Sequence, residues 1–216
     1  DAIPIKIGTS VALSGHAQDL GLSLSQGAKA YFDYINQSGG IHGRPIQQIL
    51  YDDQYDPYLT AQNTIQLVEK DHVDLLFGYV GTPTLTRILP LLKLYEDVYM
   101  FFPFTGAQPH RKPPYADYVL NLRASYQQEI NGLVQNLVRI GRKRIAIFHQ
   151  SDAYGRGGWS EVKQALTQYG GTLVSEATYS RGALFTDSFV HAATHVLNEN
   201  PDAIICIGAY NASAGF

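Results

Sequence analysis

Cysteine, methionine and tryptophan are almost missing from this chain: each occurs once in 216 residues. With Cys206 alone, no intrachain disulfide can form, so cysteine usage leaves the compartment open. Charge is sparse too. Asp, Glu, Lys and Arg make up 16% of the chain with a net charge of −3, which gives no electrostatic footing for nucleic acid or an anionic membrane as a partner. No apolar run reaches the length of a membrane span, and the N-terminal residues do not read as a signal peptide. The motifs of common enzymes are missing as well: there is no GxSxG nucleophile elbow, no GxxxxGK[ST] phosphate loop and no HExxH metal helix. The turn after Ile5–Val11 lacks GxGxxG spacing, and Gly155-Arg156-Gly157-Gly158 is too irregular to replace it. An enzyme is therefore not expected, and neither is a cofactor. His191 and His195 lie four apart on one expected helix face without a third ligand nearby, so no metal site is expected.

What is present describes a globular α/β protein. Hydrophobic residues reach 45%, and the length suffices for one large domain or two small ones. Fifteen tyrosines suit a surface that meets small ligands with both a ring and a hydroxyl, although tyrosine also covers cores and edges.

The chain is organised around Val73–Thr84, VDLLFGYVGTPT. Its apolar half reads as a buried strand over Val73–Val80, and Gly81-Thr82-Pro83-Thr84 reads as a helix start with Thr82 as N-cap and Pro83 at the first helical position. Such a turn points free N–H groups and the positive end of the helix dipole at the crevice above the sheet, a seat suited to a carboxylate. Before it come a strand at Ile5–Val11, a helix from Gly21 to Gly39-Gly40, a strand over Arg44–Asp52 and a helix from Asp56-Pro57 to Lys70. Asp52, Asp53 and Asp56 are expected to end that strand and cap that helix rather than perform acid/base chemistry. After it come a helix to Tyr95 and a strand at Val98–Phe102. The alternation predicts a parallel sheet with helices on both faces.

A polar, proline-rich stretch, Gln108–Tyr115, cannot be a core element and marks a boundary, with Arg111-Lys112 in a solvated loop. The predicted lobes are residues 1–117 and 118–216. The second opens with a strand at Tyr118–Leu122 and continues with a helix at Tyr126–Ile140, a strand at Arg144–His149, a helix at Gly155–Tyr169, a strand at Thr172–Thr178, a helix at Asp187–Asn198 and a strand at Ala203–Ile207. Its sheet is left incomplete at Phe216. Ligands of open α/β sheets bind beyond the carboxyl ends of the strands. The loops there, Ser14–Gly21, Tyr79–Thr84, Pro103–Ala107, Ser151–Tyr154 and Gly208–Asn211, carry hydroxyls, glycines and aromatics such as Tyr79 and Phe104 with almost no cations. They favour capture of a small polar molecule by N–H and hydroxyl donors.

Seven segments in register, IKIGTSVALSG, GGIHGRPIQQILYDD, the helix Pro57–Lys70, FGYVGTPT, PFTGA, RIAIFHQSDAYG and PDAIICIGAY, resemble the periplasmic solute-binding proteins of the leucine/isoleucine/valine type. The resemblance covers essentially the whole chain. It implies a type I periplasmic-binding-protein fold, two Rossmann-like lobes joined by a hinge with a small molecule trapped in the cleft between them. It also implies an extracytoplasmic location, a carboxylate-bearing ligand such as an amino acid or related acid, and delivery to the permease of an ABC transporter. The alternative is the ligand-sensing ectodomain of a membrane receptor or signalling protein. By the same resemblance the first lobe grips the ligand with Gly81, Thr82 and Thr84 and with the segment Thr105, Gly106 and Ala107, while Ser14 to Leu20 line the cleft. The second lobe offers Tyr154 and Tyr210, with Tyr126 as a further candidate. Leu20 stands where amino-acid binders commonly carry an aromatic residue, and the acidic residue that usually receives the ligand's ammonium belongs to a part of the family's second lobe beyond Phe216. The family's return of the chain to the first lobe is absent from these 216 residues.

Overall fold

The computed structural model describes residues 3–216; Asp1 and Ala2, counted above in the first lobe, lie outside them. The chain folds as two units. The first comprises residues up to Thr105 together with Pro109–Arg123, and the second comprises Gly106–Gln108 together with Ala124–Phe216.

The first unit is a parallel five-stranded sheet in the order β2-β1-β3-β4-β5, built from β1 (Ile5–Val11), β2 (Ile46–Asp52), β3 (Leu75–Phe77), β4 (Met100–Phe101) and β5 (Val119–Leu120). β1 and β2 run in register from Ile5 opposite Ile46 to Val11 opposite Asp52. Three helices, α1 (Gln18–Gln37), α2 (Pro57–Glu69) and α3 (Thr82–Tyr95), make the crossovers. Side chains alternate across β3 as strand geometry requires: Leu76 enters the core with α2 and α3, while Phe77 meets Phe32 of α1 on the other face. That core contains Leu67, Leu85, Ile88, Leu89, Leu92 and Met100, all essentially without solvent exposure. Each contributes about 1.5–3 kcal/mol by leaving water. α2 begins as expected, with Pro57 in its first turn and the Asp56 carboxylate accepting from the Tyr58 and Leu59 amides.

Three sequence expectations are corrected in this unit. Regular strand structure after Val73 is confined to Leu75–Phe77, because Gly78 adopts φ 66° and turns Tyr79 inward; Val80 regains pairing only through a bridge to Phe104. The strand expected to open the second lobe at Tyr118–Leu122 instead pairs in parallel with β4, and Val119 is buried in the first core, so this strand belongs to the first unit, whose last crossing into the second follows Arg123. Within the proline-rich stretch, His110 sits in a short 3-10 turn and is 1% exposed, so that segment does reach the interior. Burial, with the Arg111 charge beside it, pushes the His110 imidazole down to about 4 against hydrogen bonds involving Asn121 and the Thr105 backbone.

The second unit is a parallel three-stranded sheet, β7-β6-β8, from β6 (Arg144–Gln150), β7 (Thr172–Tyr179) and β8 (Ala203–Ile207). α4 (Tyr126–Arg139) and α5 (Ala153–Tyr169) pack against Ile145, Ile147, Ile205 and Ile207. α6 (Val190–Leu197) lies on the opposite face, where Phe148 packs with Phe189 and Ala192. α4 starts in a reciprocal capping box between Ser125 and Gln128. α5 stops at Gly170 with φ 78°, the left-handed cap that glycine permits. A last helix, α7 (Tyr210–Gly215), follows β8. Both units thus begin with the same strand order, the second strand and then the third added on either side of the first.

Candidate functional site

In the first unit the order β2-β1-β3 places a topological switch point between β1 and β3, where the connections leave toward opposite edges of the sheet. Gly81 heads α3 there with φ 107°, a backbone region that glycine tolerates, and a Cβ on it would lie 2.1 Å from Cε2 of Tyr55. Glycine, not Thr82, is therefore the N-cap, and no side chain caps this helix. Thr82 becomes the first helical residue and Pro83 the second. The Gly81 amide donates to the Phe104 carbonyl (3.2 Å), and Pro83 has no N–H. Helix geometry leaves the Thr82 and Thr84 amides without an intrahelical acceptor at the positive end of the dipole.

The bridge between Val80 and Phe104, with the Phe104 amide donating to the Tyr79 carbonyl (2.7 Å), brings the Thr105 segment beside this helix start. The Thr82 and Thr105 hydroxyls lie 2.6 Å apart, both buried, and share one hydrogen bond. Thr84 is fully buried, and its hydroxyl shares one proton between the carbonyls of Val80 (2.6 Å) and Gly81 (2.9 Å). It shapes the turn. Tyr79, expected at the rim, is instead a core residue: it is fully buried, its hydroxyl pairs with Thr64 (2.9 Å), and burial raises its phenol above the ordinary range. Phe104 remains 45% exposed with the Arg123 guanidinium 5.3 Å above its ring, a cation that the loop compositions did not suggest. Arg111 donates to the carbonyls of Thr105 (3.4 Å) and Arg123 (2.9 Å), so this arginine, expected in solvent, braces the segment from beneath.

Ser14, at the end of the β1 turn, donates its hydroxyl to Asp52 (2.5 Å), and the Leu13 amide donates to the same carboxylate (2.8 Å). Burial opposes ionisation of Asp52, but these bonds together with those from the Gln54 and Ser14 amides prevail and hold it below the usual carboxylate range. Its neighbour Asp53 is fully buried, and desolvation pushes it up to about 6 despite hydrogen bonds from Tyr55, Ser10 and Thr60. α1 starts three residues earlier than expected, so Leu20 is a half-buried residue of its first turn rather than of a loop. Gly21 makes this possible, since a Cβ there would meet the Ala12 carbonyl.

The second unit offers a different rim. Asp152 caps α5, accepting from the amides of Tyr154 (2.9 Å) and Gly155 (3.5 Å), and also takes the Gln150 side-chain amide (2.7 Å). Tyr179 donates its hydroxyl to Gln150 (3.1 Å) and accepts from the Ala209 amide (2.8 Å), tying the ends of β6, β7 and β8 together. Burial pushes the Tyr179 phenol up to about 12. Tyr126 and Tyr154, both half-buried, meet with ring centroids 5.5 Å apart. Gly106 accepts the Tyr126 amide (2.7 Å) and lies so close that a Cβ would be 2.6 Å from the ring, while Ala107 is 5% exposed. Tyr210 heads α7 and is 38% exposed.

Among the expected residues, then, the structure gathers Gly81, Thr82, Thr84, Phe104 and Thr105 in one unit and Tyr126 and Tyr154 in the other. Tyr55, Arg123, Gln150 and Tyr179 were missed, since each is placed by long-range packing that no local pattern announces. His191 and His195 are both exposed on α6.

Similarity to known proteins agrees with this architecture. The profile of the family described as periplasmic binding protein matches residues 4–216. The leucine-, isoleucine-, valine-, threonine-, and alanine-binding protein of Pseudomonas aeruginosa is 28% identical over 171 residues, covering 77% of this chain and 44% of that protein. A solved structure of a possible leucine/isoleucine/valine-binding protein from Rhodopirellula baltica is 31% identical with a TM-score of 0.86, over 98% of this chain and 57% of that one. A substrate-binding periplasmic protein from Ralstonia solanacearum is 28% identical with a TM-score of 0.88, over 98% and 62%. The chain spans about half the length of the curated relatives it matches, between 44% and 56%. Its two parallel, helix-flanked sheets and this match over nearly every described residue lead to one assignment: the chain belongs to the periplasmic binding protein family and carries its type I fold.

Proposed function

We infer that this chain takes part in extracytoplasmic capture of a small carboxylate-bearing metabolite, an amino acid or a related acid, for delivery to an ABC transporter. The observation that carries the inference is the start of α3 without a side-chain cap at the switch point of the first sheet, where the Thr82 hydroxyl pairs with that of Thr105. The relatives named for leucine, isoleucine and valine binding support the same ligand class. In this proposal Thr82 and Thr105 receive the carboxylate at a seat whose backbone Gly81 and Thr84 shape. Ser14, Leu20, Phe104, Ala107, Tyr126, Tyr154 and Tyr210 shape the surroundings of its other end. The solute binds a closed arrangement of the two units better than an open one and so shifts the population toward it, with the hinge at the chain crossings beside Thr105 and Arg123. The solute leaves unchanged. The proposed partner is the membrane permease of an ABC transporter; among the described residues no helix is long and apolar enough to cross a membrane.

A thermal-shift screen against amino acids and aromatic and aliphatic carboxylates tests this, followed by mass spectrometry of the recovered compound. A ligand at a hundred times its dissociation constant stabilises the folded state by about 2.7 kcal/mol, a readable shift. A carboxylate that shifts the transition and is recovered intact is the expected result. Stabilisation only by compounds without an acid group, or turnover of the bound compound, would refute the inference.

A further inference from the structure

Gln54 and Tyr55 are consecutive non-glycine residues with φ of 53° and 61°, a region that L side chains rarely adopt. Each is pinned by a carboxylate. The Gln54 amide donates to Asp52 Oδ1 (2.9 Å) and the Tyr55 amide to Asp53 Oδ1 (2.9 Å). The turn held in this way presses Tyr55 onto Gly81, at the head of α3, with His16 edge-on to the tyrosine ring at 5.5 Å. Strained backbone of this kind persists where surrounding interactions over-determine it, and here it faces the start of α3.

The remaining oxygen of Asp53 accepts the Ser10 hydroxyl (2.9 Å) and lies 3.1 Å from the Thr60 hydroxyl, which is also 2.8 Å from the Asp56 carbonyl. Thr60 has one proton and serves one acceptor at a time. With Asp53 ionised, that proton turns to Asp53. With Asp53 protonated on Oδ2, the acid donates to Thr60 Oγ1, and the threonine proton goes to the Asp56 carbonyl. The Asp56 carbonyl accepts the Thr60 amide (2.9 Å) in either state, so titration reverses one bond instead of orphaning a buried group. What changes is the grip on Tyr55, because an amide bonds a charged acceptor more strongly than a neutral one.

We propose that ionised Asp53 is a positioning residue for the solute seat: it holds the Gln54–Tyr55 turn and, through Tyr55, sets Gly81 and the first amides of α3, so that solute affinity follows its protonation. This rests on the inference that the start of α3 receives the solute. Burial is what brings the Asp53 titration up to about 6, with the adjacent Asp52 charge adding to it. The other ionisable groups around it are Asp52 and Asp56 on its own turn, Tyr79 beneath the sheet and His16 against Tyr55.

The test needs no identified solute. The amide resonances of Tyr55, Gly81 and Thr82 are followed by NMR from pH 4.5 to 8 in the wild type and in Asp53→Asn, and the affinity for L-leucine as probe is measured by calorimetry at pH 7 and pH 5. The expected result is one midpoint near 6 shared by the three amides in the wild type and none in Asp53→Asn. Leucine should bind about tenfold more weakly at pH 5 than at pH 7 in the wild type and equally at both in the variant. Gly81 and Thr82 amides that stay flat in the wild type, or titrate unchanged in Asp53→Asn, overturn the proposal. So does leucine binding that ignores pH while the amides titrate. If leucine binds neither protein, leucine is excluded as the solute, and the amide titration alone decides whether the clamp exists. Should Asp53→Asn fail to fold, Tyr55→Ala replaces it. There the Asp53 carboxyl should still titrate while the Gly81 and Thr82 amides no longer follow it, and amides that still follow it refute the role of Tyr55.

Discussion

The two units share a strand order but finish their helices differently. At the head of α5, Asp152 supplies a carboxylate that takes the Tyr154 and Gly155 amides, so the positive end of that helix is already answered from within the chain. At the head of α3, Gly81 offers no side chain, and the helix starts without a side-chain cap. One parallel-sheet scaffold therefore yields one helix start that a side chain caps and one that no side chain caps. The second rim contributes aromatic surface instead, Tyr126 against Tyr154, and binds its strand ends together through Gln150 and Tyr179.

Glycine substitutions give the largest effects and break this comparison most directly. In Gly155→Ala the new Cβ meets the Gln150 carbonyl at 1.7 Å, an immovable backbone atom, so folding of the second unit should fail or lose more than about 3 kcal/mol. In Gly81→Ala the obstacle is the Tyr55 ring, which can turn, and the loss should be about 2–3 kcal/mol including the strain at φ 107°. Urea unfolding reads both. Pairing Gly81→Ala with Tyr55→Ala should recover part of the second loss, a non-additivity of more than about 0.5 kcal/mol.

The next effect is pH dependence confined to the first unit. Asp53 has a folded value near 6, above the ordinary 3.8, so its folded state holds the extra proton between those values, and the stability it gives at low pH is lost as pH rises through 6. His110 has a folded value near 4, below the ordinary 6.5, so the unfolded chain takes the proton first and stability is gained as pH rises from 4 to 6.5. At about 1.4 kcal/mol per tenfold change in proton affinity, each group is worth about 3 kcal/mol, in opposite directions. The wild type should therefore be nearly flat from pH 4 to 6.5 in urea unfolding. Asp53→Asn should become more stable as pH rises through this window, and His110→Gln less stable. Parallel curves for all three proteins would contradict the assignment.

Smaller effects sharpen the contrast between the helix heads. Asp152→Ala should cost about 1 kcal/mol of stability by removing a cap, and leave solute affinity through the first rim unchanged apart from any movement of Tyr154. Thr105→Val should weaken solute binding by about 1 kcal/mol, the worth of one neutral hydrogen bond, with little effect of Thr84→Ser on the same measurement because the serine hydroxyl can still reach the Val80 and Gly81 carbonyls. Calorimetry with the solute found in the screen checks both.

Much of the fold was legible because its signals are local. Asp56-Pro57 announced the start of α2, apolar runs such as RIAIFH and AIICI announced β6 and β8, and Gly39-Gly40 announced the end of α1. The misreadings occurred where the deciding partner is remote in sequence. Thr82 has the chemistry of an N-cap, yet Tyr55 and the demand for a positive φ give that place to Gly81. Val119-Leu120 looks like the first strand of a new lobe, yet the exposed edge of β4 takes it. Tyr79 looks like a rim aromatic, yet Gly78 turns it to Thr64 in the core. Asp52 and Asp53 are adjacent and chemically identical, and the balance of burial against hydrogen bonding separates their titrations: hydrogen bonds outweigh burial at Asp52 and hold it down, while burial outweighs them at Asp53 and pushes it up.

The sequence by itself determined the α/β class, the alternation of elements, the family and the stretch around which the first unit is organised, because periodicity, caps and glycine turns act over a few residues. Which hydroxyls and amides remain available at the rim, which carboxylate is buried, and which strand belongs to which sheet were decided by tertiary structure. Those outcomes depend on desolvation and on contacts such as Tyr55 with Gly81 and Thr82 with Thr105, which join positions 26 and 23 residues apart and have no signature in either segment alone.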